Sequence, residues 1–350
     1  MTRRLQEFHR RGGTFGFVAE EPRVPPGVLT PVVRRGRRRG RARIAAFVLV
    51  ALAVAAVAVV VSRMHSSARA TPAGASPKRS APAPPAPTPK AVRPERLLWT
   101  RGPVAAPPLR LAARAAIVVD AGTGRVLSAR RPHRRLPVAS TTKILTALLA
   151  LRALPRNALV TVPPAATRVP LVKEGLRPRE RVRAWKLFYG LLLFSGNDDA
   201  AALALATAGS RNAFVARMNA EARALGLRDS HFSTPSGVID QDNYSSAWDL
   251  AALTRVALRD ARFRAIVRRR IAHIPWSAPT YEKVYVNKNP LIGTYPGADG
   301  VKTGWTTLAG HCLVASATRG GRTVIAVVLN DANAPVDARR LLNLGFRTPS

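Results

Sequence analysis

Asp299-Gly300-Val301-Lys302-Thr303-Gly304-Trp305-Thr306, then His311-Cys312-Leu313-Val314-Ala315-Ser316-Ala317, then Gly320-Gly321 and Thr323-Val324-Ile325-Ala326-Val327-Val328-Leu329 form three apolar runs separated by turn residues. Runs of this length, rich in β-branched residues and bounded by Asp-Gly and Gly-Gly, read as strands, and such short connections pair neighbours antiparallel. Far upstream, Ala115-Ala116-Ile117-Val118-Val119-Asp120 and Arg125-Val126-Leu127-Ser128 flank the turn Ala121-Gly122-Thr123-Gly124 and predict two more strands. Between the two strand sets, apolar spacing predicts helices over 142–154, 184–194, 198–208, 211–225 and 246–258, with a closing helix over 336–344. The implied fold class is α+β: one antiparallel sheet built from both chain ends, flanked by helices, with a mostly helical region inserted between.

The composition narrows the function classes. The 350 residues are 47% hydrophobic and 21% charged, which is globular and too apolar for a wholly disordered chain. Lys and Arg number 56 against 19 acidic residues, a net charge of +37. Eight are lysines, so arginine dominates. The excess runs along the whole chain: +9 on residues 1–43, +6 on 62–100 and +22 on 101–350. Such a surface favours polyanions, whether nucleic acid, anionic lipid or an anionic wall, but no RNA- or DNA-reading motif accompanies it, so no nucleic-acid partner is expected. One cysteine, Cys312, excludes an internal disulfide framework and any multi-Cys metal site.

The N-terminal third reads as an address and a tether. Every residue of 44–61 is apolar, and 18 residues at ~1.5 Å rise span ~27 Å, enough for a bilayer core. Seven arginines between Arg34 and Arg43 place the preceding basic tail (1–43) in the cytoplasm and everything after the span outside. The expectation is a single-pass signal-anchor. The rival is secretion after cleavage near Ala70, since Ala68-Arg69-Ala70 fits a small-x-small pattern. Eight prolines between Thr71 and Pro94 make residues 62–108 an extended linker, leaving 109–350 as the folded domain.

Pro137-Val138-Ala139-Ser140-Thr141-Thr142-Lys143 opens a helix at Ser140, with Ile144, Leu145, Leu148, Leu149 and Leu151 burying one of its faces. Ser140 and Lys143, three apart, share a face. A serine hydroxyl needs a base, and a lysine serves as one when burial or nearby positive charge leaves it neutral. Alone, the pair would far more often be a capping serine followed by a surface lysine. Ser195-Gly196-Asn197-Asp198-Asp199 forms a tight polar loop between two apolar helices. Asn197 suits an N-cap there, with two acids in the first turn, but a cap leaves Ser195 unexplained. Lys302-Thr303-Gly304 places a cation and a hydroxyl beside a strand glycine that lets a ligand approach the backbone.

The ordered set Ser140-x-x-Lys143, Ser195-Gly196-Asn197 and Lys302-Thr303-Gly304 resembles the penicillin-binding-protein and serine β-lactamase superfamily. More narrowly it resembles the low-molecular-mass D-alanyl-D-alanine carboxypeptidases, through Asp198 after Asn197, Met218-Asn219-Ala220-Glu221-Ala222 with Leu225-Gly226-Leu227, and Leu341-Leu342-Asn343-Leu344-Gly345-Phe346. It covers about 115–346. The resemblance implies a β-lactamase-like fold, no cofactor or metal, the peptidoglycan stem peptide as substrate and β-lactams as acylating inhibitors. Ser140 would form the acyl-enzyme, Lys143 take its proton and Ser195 relay a proton to the leaving D-alanine. Asn197 would bind the acyl-side amide. Lys302 and Thr303 would meet the terminal carboxylate beside Gly304, and the backbone N–H groups of Ser140 and Trp305 would form the oxyanion hole.

Departures and rivals bear on that expectation. Relatives often carry a carboxylate-binding arginine before the closing helix. The matching Asn333-Ala334-Pro335 has none, leaving Arg339 and Arg319 as substitutes to test, and Ser236 in Thr234-Pro235-Ser236-Gly237 is a minor change. A class A β-lactamase would need a water-activating glutamate in an E-x-x-L-N context, which neither Glu221 nor Glu282 has. His133, His231, His273 and His311 are scattered without zincin spacing. A D,D-endopeptidase cutting cross-links would use the same residues, and a non-catalytic wall-binding relative is the alternative of a different class.

Overall fold

The computed structural model describes residues 97–100, 102, 110–238 and 242–349. The basic tail, the apolar stretch 44–61 and most of the 62–108 linker lie outside the described residues. Among those described, no helix is long and apolar enough to cross a membrane.

Strands β1 (Ala115–Asp120) and β2 (Val126–Arg130) form a hairpin. After β3 (Leu136–Pro137), a 3-10 turn (Ala139–Thr142) runs straight into helix α1 (Lys143–Ala153). Then come β4 (Leu159–Thr161), α2 (Pro164–Thr167), β5 (Arg181–Arg183), α3 (Ala184–Tyr189), a π-helical turn (Gly190–Phe194), α4 (Asn197–Ala208) and α5 (Arg211–Ala224). They are followed by β6 (Tyr244–Ser245), α6 (Ala247–Ala257), α7 (Ala261–Val267), β7 (Ile271–Pro275) and β8 (Glu282–Val286). Strands β9 (Ala298–Thr306), β10 (Gly310–Arg319) and β11 (Arg322–Asp331) and helix α8 (Ala334–Arg347) complete the described part.

The main sheet has the order β2-β1-β11-β10-β9 and is antiparallel throughout, so both ends of the domain do build one sheet. The register runs from Ala115 opposite Leu329 to Asp120 opposite Val324. All six residues of β1 are buried because both sheet faces are covered. Ile117, Val119, Val314, Ile325 and Val327 join one core with α1 and α6. Ala116, Val118, Leu313, Ala315, Val324 and Ala326 join a second with Ala338, Leu341 and Leu342 of α8. An apolar residue at every strand position is the signature of a sheet covered on both sides.

Three local expectations change. Asp299-Gly300 is no turn: the chain reverses over residues 291–297, ending on Gly297 at φ +77°, and both residues lie within β9. The Asp299 carboxylate accepts from the Ser316 and Thr318 hydroxyls of β10, which gives an acid a use on a strand. Helix α1 is buried on nearly all sides, Lys143 included, because it threads the middle of the inserted helices. Asn197 is the first residue of α4 and makes no cap; Gly196 occupies the cap position. The β7–β8 hairpin, α7 and the small pairs β3–β6 and β4–β5 were not read from the sequence, their segments being too short to show a period.

Candidate active site

Lys143 is fully buried, with no exposed surface. Its Nζ lies 2.8 Å from Ser140 Oγ, 2.8 Å from Asn197 Oδ1 and 3.2 Å from the Ser236 carbonyl. The last two are acceptors by nature. Asn197 cannot be turned around, because its Nδ2 donates to the Pro170 carbonyl at 2.8 Å. A neutral amine has two N–H groups and one lone pair. With both N–H groups committed to Asn197 and Ser236, the lone pair is left for the Ser140 hydroxyl, which is the geometry of a general base. The state this requires is the one the surroundings favour. Burial, and then the charges of Lys302 and Lys288, hold Lys143 well below the usual lysine pKa, against the opposing pull of Asp199 and Asp198.

Ser195 ends the π-helical turn in the left-handed region, at φ +75°, and is 6% exposed. A buried non-glycine residue in that conformation costs on the order of 1–3 kcal/mol and persists where the surroundings impose it. Here Gly196 N donates to the Gly190 carbonyl (3.0 Å) and Asn197 N to the Val172 carbonyl (2.8 Å), closing the loop on both sides. Asp198 accepts from Asp199 N of its own helix at 3.2 Å, but most of its bonds leave the helix. Its carboxylate accepts the backbone N–H groups of Glu174, Gly175 and Leu176 at 2.9–3.0 Å and so ties the 174–176 segment to α4.

Strand β9 supplies the third wall. A Cβ on Gly304 would come within 2.7 Å of the Val138 carbonyl and 3.1 Å of Ser140 N, so glycine is what lets this strand lie against the serine turn. Lys302 is 1% exposed and donates to the Thr303 carbonyl (3.0 Å); burial, then the charge of Lys288, lowers its pKa to about 7. Thr303 is half-buried, and Trp305 is 60% exposed at the rim, its ring 6.2 Å from His311.

Ser140, Ser195, Thr303, Gly304 and Trp305 line one cavity of about 520 Å³. Lys143, Lys302 and Asn197 stand behind its wall. The structure thus brings together the residues of all three motifs, with Asn197 holding Lys143 from the rear. Both of the arginines considered as carboxylate partners are engaged elsewhere. Arg319 donates to the Pro296 carbonyl and lies over Tyr295 and Phe346, and Arg339 donates to Thr294. Neither lines the cavity, whereas Lys288 does, together with Ala334 and Pro335, the first two residues of α8. Lys288 Nζ lies 4.6 Å from the centre of the Phe194 ring. Its neighbours brace it: Asn287 Nδ2 donates to the Val267 and Arg269 carbonyls, and Asn289 Nδ2 donates to the Gly300 carbonyl. No local sequence signal marks Lys288, because its place on the cavity follows from where the 287–289 segment packs.

A model of the S11 peptidase family, D-alanyl-D-alanine carboxypeptidase, matches residues 102–333. The chain belongs to this family. As an S11 peptidase it falls among the serine-type hydrolases. It is 38% identical over 215 residues to the D-alanyl-D-alanine carboxypeptidase DacB2 of Mycobacterium tuberculosis, covering 61% of this chain and 73% of that one. It is 35% identical over 223 residues to DacF of Bacillus subtilis, covering 62% of this chain and 57% of the relative's length. The crystal structure of the Streptomyces K15 DD-transpeptidase superposes with a TM-score of 0.65 at 33% identity, covering 68% of this chain and 98% of that one.

This S11 peptidase carries a stability cost at Lys302. At neutral pH the unfolded lysine is protonated and the buried one only partly so. Stability is therefore reduced at and below about pH 7 and recovers as pH rises toward 10.5. A lowering of this size corresponds to roughly 3–5 kcal/mol. Lys302→Met is expected to stabilise the domain by about 1–2 kcal/mol at neutral pH, the relieved burial of the amine exceeding the lost bond to the Thr303 carbonyl. The gain should shrink at alkaline pH, while acylation slows. Chemical denaturation at both pH values checks this, and a loss of stability at neutral pH would contradict it.

Proposed function

We propose that the domain is a serine-type D-alanyl-D-alanine carboxypeptidase that removes the terminal D-alanine from peptidoglycan stem pentapeptides, and that β-lactams acylate the same serine. The observation that carries this reading is the buried Lys143 Nζ, 2.8 Å from Ser140 Oγ and within 3.2 Å of two obligate acceptors, Asn197 Oδ1 and the Ser236 carbonyl.

Ser140 Oγ attacks the carbonyl carbon of the D-Ala-D-Ala bond as its proton passes to Lys143 Nζ. The oxyanion is met by the backbone N–H groups of Ser140 and Trp305, each contributing on the order of 3 kcal/mol. The C–N bond then breaks, with the proton delivered to the departing amine through Ser195. Water, deprotonated by the same amine, hydrolyses the ester and regenerates Ser140. Lys302 keeps the local field positive, which favours a neutral Lys143. The terminal carboxylate is met by the Thr303 hydroxyl, with Lys288 as its cation. Asn197 acts chiefly by orienting Lys143, its amide being held at both ends.

Lys288→Ala is expected to raise KM for a D-Ala-D-Ala peptide about tenfold, the effect of losing one partly solvated charge-assisted contact. Because the Lys288 charge also lowers the pKa values of Lys143 and Lys302, its removal should move the acid limb of the rate profile to higher pH. Steady-state kinetics across pH check both, and an unchanged KM with an unmoved limb would remove Lys288 from the site.

Membrane attachment through 44–61, with the domain outside the cytoplasm, is part of the proposal. It is supported by the length of that apolar stretch and the arginines before it. The test of function is release of free D-alanine from a muramyl pentapeptide, run beside labelled penicillin binding. Release supports the carboxypeptidase reading. Cleavage of cross-linked dimers without release from the pentapeptide would make the protein an endopeptidase. Penicillin reactivity with neither reaction would refute the substrate.

A further inference from the structure

Behind the Ser195 loop lies a charge arrangement that the reaction steps above leave unused. Asp199, in the first turn of α4, is fully buried, and among the described residues neither of its carboxylate oxygens has a hydrogen-bond partner of ordinary geometry. Glu174 comes from the loop preceding β5, and its side chain is 2% exposed. A Cβ on Gly190 would overlap Glu174 Oε2 and both oxygens of Asp199, and a Cβ on Gly196 would overlap Asp199 Oδ2. The two carboxyls therefore meet inside the curl of chain from Gly190 to Gly196, whose two glycines make the room, and Ser195 stands at the end of that curl. Two buried carboxyls this close cannot both be charged.

The remaining groups facing the pair decide where the proton lies. Lys283 Nζ donates to Glu174 Oε1 at 3.0 Å, and the Tyr285 hydroxyl donates to Glu174 Oε2. Asp198, the other nearby acid, has its oxygens taken by four backbone N–H groups, those of Glu174, Gly175, Leu176 and Asp199. Glu174 thus has donors suited to a carboxylate, and Asp199 has none. Burial, and then the charges of Glu174 and Asp198, push Asp199 well above the usual carboxylate range. Glu174 is also raised by burial, with Lys283 and Tyr285 opposing.

We propose that Glu174 and Asp199 share one proton, held on Asp199 and donated to Glu174, and that this pair positions the Ser195–Asn197 loop and keeps negative charge away from Lys143. The inference rests on the reading of Lys143 as the base. Its logic is electrostatic. An ionised Asp199 attracts a proton to the Lys143 amine, so a protonated Asp199 is what leaves that amine free. Both residues are positioning residues, and neither lines the cavity. The sign with pH follows. The native chain keeps a proton that the unfolded chain loses in the acid range, so the pair's contribution falls as pH rises through Asp199's native pKa, and the loop should loosen on the alkaline side.

The experiment uses the full chain and three variants. Asp199→Asn mimics the protonated acid, Glu174→Gln leaves Asp199 as the ionised partner of Lys283, and Asp199→Ala removes the group. Two readouts are needed: infrared detection of a protonated carboxyl, and the pH profile of acylation by a fluorescent penicillin. Wild type should show a protonated-carboxyl band that Asp199→Asn removes. Asp199→Asn should acylate within about threefold of wild type at neutral pH and lose the alkaline decline. Glu174→Gln should move the acid limb to higher pH and slow acylation about tenfold or more at neutral pH, the size expected when a general base is mis-set. The proposal is overturned if no protonated carboxyl is detected, if Glu174→Gln superimposes on wild type, or if Asp199→Asn and Asp199→Ala are equally impaired with an unchanged profile. Because neither readout uses D-alanine, its failure is distinguishable from a failure of the substrate assignment.

Discussion

Ser140→Ala is expected to abolish penicillin labelling and to lower D-alanine release by on the order of 10⁴-fold or more, because acyl transfer then has no acceptor oxygen. The fold should survive. The side-chain hydrogen bond formed by Ser140 Oγ is the 2.8 Å contact with Lys143, and the serine turn is held independently by Thr141, whose N and Oγ1 both donate to the Val138 carbonyl. Stability within about 0.5 kcal/mol of wild type is the expected companion result, as for other changes that leave packing intact. The decisive measurement is intact-mass detection of the penicilloyl adduct beside a denaturation curve. An adduct that still forms at the wild-type rate would move the nucleophile elsewhere, with Ser195 on the same cavity as the first candidate.

Lys143→Met should slow acylation by about 10²–10⁴-fold, the range that a positioned base contributes. The variant keeps an unbranched side chain, one atom shorter, and removes the amine. Two effects on stability then oppose. Asn197 Oδ1 and the Ser236 carbonyl each lose a donor, at about 1–3 kcal/mol for a buried acceptor, while the penalty of burying a lysine disappears. A near-balanced stability with a collapsed acylation rate separates the loss of a base from the loss of a fold. The pH profile adds a second signature. In wild type the rate falls on the acid side as the Lys143 amine takes up a proton, and that limb should be absent in the methionine variant. A Lys143→Arg variant should be as slow, since a guanidinium does not give up its proton in this pH range. If either variant acylates at the native rate, the base is another group, and Lys302, with a pKa of about 7, is the one to examine.

These expectations trace back to different levels of the chain. The strands were legible because β1, β10 and β11 are continuous apolar runs set off by glycine turns, and a sheet covered on both faces demands that pattern. The spacing of Ser140 and Lys143 was legible for an equally local reason: three residues on a helical path bring two side chains to one spot. Asp299-Gly300 misled, because a dipeptide preference weighs less than two hydroxyls on β10 that can satisfy an aspartate inside a strand. Asn197 misled in the same way. A residue suited to capping was drawn into the helix because a buried amine needed its amide oxygen.

The one-dimensional chain determined which residues could do chemistry and roughly which elements would carry them, since hydrophobic period and short motifs are properties of neighbours. Folding alone decided that Lys143 has no surface, that Lys288 faces the cavity while Arg319 and Arg339 turn away, and that Glu174 meets Asp199 behind Ser195. The reason is physical: protonation and reach depend on desolvation and on charges a few ångströms away, and those charges come from segments tens of residues apart that share no local pattern.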